Sequence, residues 1–148
     1  MILIDANVLI YAHNTTSTHH AAAKEWLEST LSAETDVRLG LVTVLAFVRI
    51  VTSPQLFDEA MTSPEALDIV GAWLARENVT VCEPSERHWQ VLTDLAIKGQ
   101  ARGPLLMDAH LAALAVEHGA TLATSDRDFA RFPGLRWIDP ITRVDNLS

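Results

Sequence analysis

The chain has 148 residues, 49% of them hydrophobic and 20% charged, with a formal net charge of −8. This length fits one domain spanning residues 1–148 with residues 141–148 as a tail, and it can bury roughly 70% of the unfolded surface without a disulfide or structural zinc. The acidic balance excludes a nucleic-acid binder that works through a basic surface. It does not exclude a nuclease, because a bound cation brings positive charge to a phosphate locally.

Met1 to Ile4 predicts a short strand whose unbroken apolar run suits a parallel sheet covered on both faces. Asp5 interrupts that run and no basic segment precedes it, so neither a signal peptide nor a spanning helix is expected, and the protein is placed in the cytoplasm. Asn7 is the expected cap of a short helix through Val8, Leu9, Ile10 and Tyr11. After the polar loop 14–18, Ser17 or Thr18 caps a helix from about His19 to Leu31, with Ala22, Ala23, Trp26 and Leu27 inward. Arg38 to Leu41 predicts a brief strand. Thr43 is the expected cap of a helix through Val51 that is apolar nearly all round, hence buried or shared with a partner.

Ser63-Pro64-Glu65 marks another helix start, with serine as the cap and the run continuing to about Arg76. Val79 to Cys82 predicts a strand, and Cys82, the only cysteine, is expected to be a buried structural thiol. Ser85 caps a helix carrying Trp89, Leu92, Leu95 and Ala96. A loop over 99–104 leads to a helix from Asp108 to His118, stopped by Gly119 in the left-handed conformation. Thr121 to Thr124 predicts a strand, Asp126 to Phe132 a short helix, and Arg136 to Ile138 an edge strand, with loop or tail beyond Pro140. Helices alternating with short apolar strands predict an α/β fold with a mainly parallel sheet.

In open α/β sheets, ligands bind beyond the carboxyl ends of the strands. Asp5 and Asp126 each follow a predicted strand, and Asp108 opens a helix that should enter from the same side. Two carboxylates at about 4 Å repel by roughly 4 kcal/mol at an effective dielectric near 20. Converging acids therefore call for a cation, and oxygen ligands with no cysteine nearby favour Mg²⁺ or Mn²⁺ over zinc. Helix capping is the competing explanation for Asp108 and Asp126, and a surface helix acid for Asp128.

Four segments carry a family resemblance: ILIDANVLIYA at 2–12, LAFVRIVTSP at 45–54, MDAHLAALAVEHGATLATSDRDF at 107–129 and FPGLRW at 132–137. In that order and spacing the chain resembles PIN-domain ribonucleases, in particular the VapC-type toxins of type II toxin–antitoxin pairs. The resemblance implies a three-layer α/β/α sandwich and Mg²⁺- or Mn²⁺-dependent endoribonuclease activity on structured RNA such as tRNA or rRNA. Products would carry 5′-phosphate and 3′-hydroxyl ends. It assigns metal binding to Asp5, Asp108 and Asp126, with Asp128 an extra acid beside them, and supporting roles to Asn7 and Thr124. Arg102 and Arg127 are the expected substrate contacts. A cognate antitoxin and a homodimer are the implied partners.

One departure stands out. The family usually has a glutamate three residues before an arginine in the helix after the second strand. Here Arg49 is present but Ala46 occupies the acid's position. Either Asp128 substitutes, or the chain is a catalytically weak module that acts by binding RNA or regulating. A phosphatase-like use of Asp5 as nucleophile calls for a second aspartate two residues on, where Asn7 stands. Of the six histidines only His110 lies near the acids. The four tryptophans fall one per element and are expected in the core. No phosphate-binding glycine string occurs.

Overall fold

A computed structural model describes residues 1–147. Five strands form one sheet in the order β3-β2-β1-β4-β5, every pairing parallel. They are β1 (Ile2–Ile4), β2 (Val37–Gly40), β3 (Val79–Cys82), β4 (Thr121–Ala123) and β5 (Trp137–Ile138). The helices are α1 (Ala6–His13), α2 (His20–Ser32), α3 (Leu41–Val51), α4 (Ser63–Leu74), α5 (His88–Lys98) and α6 (Leu105–His118), with a 3-10 turn at Arg127–Arg131. No helix among the described residues is long and apolar enough to cross a membrane.

Side chains alternate across a strand, and β1 uses this to build two cores. Ile4 points into a cluster with Val8, Leu9, Phe47 and Trp73 beneath α1 to α4. Leu3 points the other way, among Leu95, Leu114, Leu122 and Phe129 beneath α5 and α6. Both residues are wholly buried, which makes the fold a three-layer α/β/α sandwich. Ala109, Ala112, Ala113 and Ala115 are also buried. Their small side chains let α6 lie close to the sheet, which puts its N-terminal turn beside the ends of β1 and β4.

Local signals explain most helix ends, and several sit one residue from expectation. Asp5, not Asn7, caps α1 through a 2.7 Å bond from the Ala6 N–H to its carboxylate. Strand β2 starts and stops one residue early, so Gly40 precedes α3 and Thr43 is buried within the helix instead of capping it. Thr62, not Ser63, caps α4 by accepting from the Glu65 N–H. His19 precedes α2 without a side-chain cap, although the Ser17 hydroxyl accepts from its N–H at 3.1 Å. Helix α6 begins at Leu105, because Pro104 (φ −59°) already has helical φ and no N–H to satisfy. It ends at Gly119 with φ 68°, the left-handed stop expected there.

Two larger departures concern side chains. Trp89 is 77% exposed on α5 and not part of either core. The chain beyond Pro140 is loop, but not a free end. Asp145 bridges Ile138, the Asp139 N–H donates to the Val144 carbonyl, and the Asn146 side chain accepts from the Trp137 N–H at 2.7 Å.

Candidate active site

The strand order reverses direction between β1 and β4, which makes their carboxyl ends the crevice of this sheet. Their register aligns Ile4 with Ala123, and the Asp5 N–H donates to the Ala123 carbonyl at 2.9 Å. Asp5 and Thr124 are thereby brought side by side although 119 residues separate them.

Thr124, 1% exposed, organises this edge. Its hydroxyl donates to Asp5 Oδ2 at 2.7 Å and accepts from the Asp126 N–H at 3.1 Å and from Asn7 Nδ2 at 3.4 Å. One proton and two lone pairs are then all used. Asp126 Oδ1 in turn accepts from the Asp128 N–H at 2.9 Å, so Asp126 caps the 3-10 turn while its charge acts on Asp5 and Asp108. The Asp5 carboxyl titrates above its ordinary value. Burial is the largest cause, opposed by the bonds from Thr124 and Ala6 and reinforced by Asp126.

Asp108 is the fourth residue of α6, so the capping explanation does not apply to it. Its carboxyl is pushed up to about 6, first by burial and then by Asp126, Asp5 and Asp128, with Arg131 opposing. Asp5 and Asp108 line one cleft of about 140 Å³ together with Thr43, Ala46, Met107 and His110. A larger hollow of about 470 Å³ carries Asp58 and Glu59, but both are exposed, so neither acid is stripped of water there.

The acids share one electrostatic environment without forming a finished cage: among the described residues no three acidic, histidine or cysteine side chains stand ready to hold a metal ion. The donor set nevertheless suits a hard cation. Asn7 Oδ1 is buried without a hydrogen-bond partner among the described residues, and such a vacant oxygen beside mutually repelling carboxylates is what a divalent ion relieves.

The remaining expected residues separate. Asp128 is exposed at the rim, near enough to raise Asp108. Arg102 is exposed on the loop before α6. Arg127 is engaged elsewhere: its guanidinium donates to Thr142 and Asp139 and lies 5.0 Å from the centre of the Trp137 ring. The cation that does act on Asp108 is Arg131, held by bonds to the Asp128 and Gly99 carbonyls. Only its position three residues after Asp128 hinted at this. Ala46 lines the cleft, so the missing glutamate is missing from the site itself.

A family model for the PIN domain matches residues 2–135. The chain belongs to the PIN-domain family. This PIN domain is 42% identical over 140 residues to the ribonuclease VapC37 of Mycobacterium tuberculosis, covering 95% of this chain and 97% of that one. Its fold matches that of VapBC2 from Rickettsia felis, solved bound to a fragment of promoter DNA, with a TM-score of 0.65 at 18% identity over 93% of this chain and 97% of that one. It also matches M. tuberculosis VapC20, described as a sarcin–ricin-loop-cleaving toxin, with a TM-score of 0.66 at 15% identity over 88% of this chain and 93% of that one.

Proposed function

We propose that this protein is a Mg²⁺- or Mn²⁺-dependent endoribonuclease, the toxin of a toxin–antitoxin pair in the cytoplasm, acting on structured RNA such as tRNA or rRNA. The observation that carries the reading is the meeting of Asp5 and Asp108 in one cleft, where burial and the charges of Asp126, Asp5 and Asp128 push the Asp108 carboxyl up to about 6. An acid in that position costs stability unless it serves a ligand.

Asp5, Asp108 and Asp126 would hold the cation, with Asp128 at the rim in place of the acid absent at Ala46. When bound, the ion supplies positive charge to the phosphodiester and activates water for in-line attack. The chain's own residues do the rest. Thr124 fixes the Asp5 carboxylate by its 2.7 Å bond. Asn7, bonded to Thr124 through Nδ2, keeps a buried Oδ1 without a hydrogen-bond partner among the described residues. Arg131 is the counter-charge that keeps Asp108 from rising further.

The partner reading rests on a structural neighbour solved as a toxin–antitoxin complex from Klebsiella pneumoniae and on exposed apolar side chains. Leu41, Leu45 and Leu67 are each more than half exposed on α3 and α4, more than a solvated face needs, and consistent with a homodimer and an antitoxin.

Purified protein should cleave RNA when Mg²⁺ or Mn²⁺ is supplied, and Asp5→Asn should lower the rate at least about 100-fold. Unchanged cleavage in EDTA and in Asp5→Asn would remove this reading. The alternative, a catalytically weak RNA-binding or regulatory module, draws on Ala46 in the cleft. Calorimetric titration with Mn²⁺ separates the two, because a binding module need take up no divalent ion.

A further inference from the structure

Helices α5 and α6 are joined by a chain of polar side chains that ends in the acidic cleft. Glu117 has a side chain with no exposed surface. Its Oε1 accepts from the Ser85 N–H and its Oε2 from His88 Nδ1, both at 2.8 Å. His88 Nε2 then meets His110 Nδ1 at 2.9 Å, the two rings edge to face with centroids 4.8 Å apart. His118 Nε2 bonds the Glu83 carbonyl at 2.7 Å and stands 3.7 Å from Glu117 Oε1, without a hydrogen bond to the chain. The His110 ring lines the same cleft as Asp5 and Asp108.

With both rings neutral, the polarity of this chain follows from donor arithmetic. A carboxylate only accepts, so His88 carries its proton on Nδ1. In a neutral ring its Nε2 is then an acceptor, which requires the proton of His110 to sit on Nδ1. The lone pair of His110 is left on Nε2. That atom has no hydrogen-bond partner among the described residues, and it is not among the buried unpaired atoms, so solvent reaches it.

A free acceptor in this place rejects phosphate oxygens, which are acceptors themselves. Among the groups of an RNA strand it takes a hydroxyl or amino donor, and the donor next to every phosphodiester is the ribose 2′-hydroxyl. We infer that His110 is a substrate-recognition residue whose Nε2 accepts from a ribose 2′-hydroxyl beside the scissile phosphate, and that Glu117 and His88 are positioning residues that fix its tautomer. This rests on the ribonuclease reading and deepens it: the contact makes the cleft selective for RNA over DNA.

Two measurements test it. In ¹⁵N-labelled wild-type protein near pH 7.5, NMR should show His110 protonated on Nδ1 and bare on Nε2, with the preference lost in Glu117→Gln. A proton resident on Nε2 in the wild type overturns the inference. Binding is then measured by anisotropy, without divalent cation, for a substrate RNA and for the same strand with 2′-deoxy sugars flanking the cleavage site. His110→Ala should weaken binding of the RNA about 5–10-fold, a typical single hydrogen bond, and leave binding of the deoxy strand unchanged. Equal losses on both strands would reduce the chain to a structural tie between α5 and α6. A wild-type protein that neither binds nor cleaves RNA removes the ribonuclease reading and this contact together. One that cleaves RNA yet binds both strands alike removes the contact alone.

Discussion

Two buried carboxylates show how differently one fold treats the same chemical group. Asp139 is 3% exposed and fully served: Oδ1 accepts from the Ile141 and Thr142 N–H groups at 2.8 and 3.3 Å, and Oδ2 accepts from Arg127 at 3.4 Å. Asp108, half-buried on the other side of β4, accepts no hydrogen bond from the described residues and faces three further acids with only Arg131 opposing. The first carboxylate is architecture, because two N–H groups of its own loop and the Arg127 guanidinium supply its donors. The second is left without a donor by the protein's own groups, a deficit that the proposed cation would remedy.

Removing each acid should therefore act in opposite directions. The largest effect is expected from Asp139→Ala, which leaves two backbone N–H groups without their acceptor and takes the carboxylate partner from Arg127. Urea unfolding should show a loss of roughly 2–4 kcal/mol, while RNA cleavage per folded molecule stays unchanged. A variant as stable as wild type would erase the contrast between the two sites.

Asp108→Asn should stabilise the metal-free protein. The folded carboxyl titrates at about 6 against an ordinary 3.8, so the stability tied to its proton is complete below about 3.8 and lost as pH rises through about 6. Asparagine keeps that neutral form at every pH. The variant should thus match wild type near pH 3.5 and melt higher at pH 7, by roughly 2–4 °C for ~1 kcal/mol, a figure already discounted for solvent screening. Saturating Mn²⁺ should reverse the order, since only wild type gains from the ion. A large drop in the metal-free melting temperature would instead make Asp108 a structural acid like Asp139. The smallest effect is expected from Trp89→Ser. With this residue 77% exposed, stability should change by no more than about 0.5 kcal/mol.

The alternation of apolar strands and amphipathic helices was legible because side-chain period is a local property. So was the order of Asp5, Asp108 and Asp126 along it, and the stop at Gly119. Cap positions at Thr62, Asp5 and Gly40 were legible only to within one, two and three residues, since several neighbouring residues could precede the same backbone N–H groups. Trp89 was misplaced for a different reason: one aromatic per helix does not say which face it occupies.

The primary sequence by itself determined the alternation of strands and helices, because side-chain period is set by near neighbours, and the family, because four motifs recur in a fixed order along the chain. Tertiary structure alone decided which of the acids loses its water and which gains a donor. It drew Arg127 to Asp139 and Arg131 toward Asp108, and it linked Glu117 through His88 to His110. Desolvation and charge coupling are set by groups that come from distant segments, and they exist only once the sheet has brought those segments together.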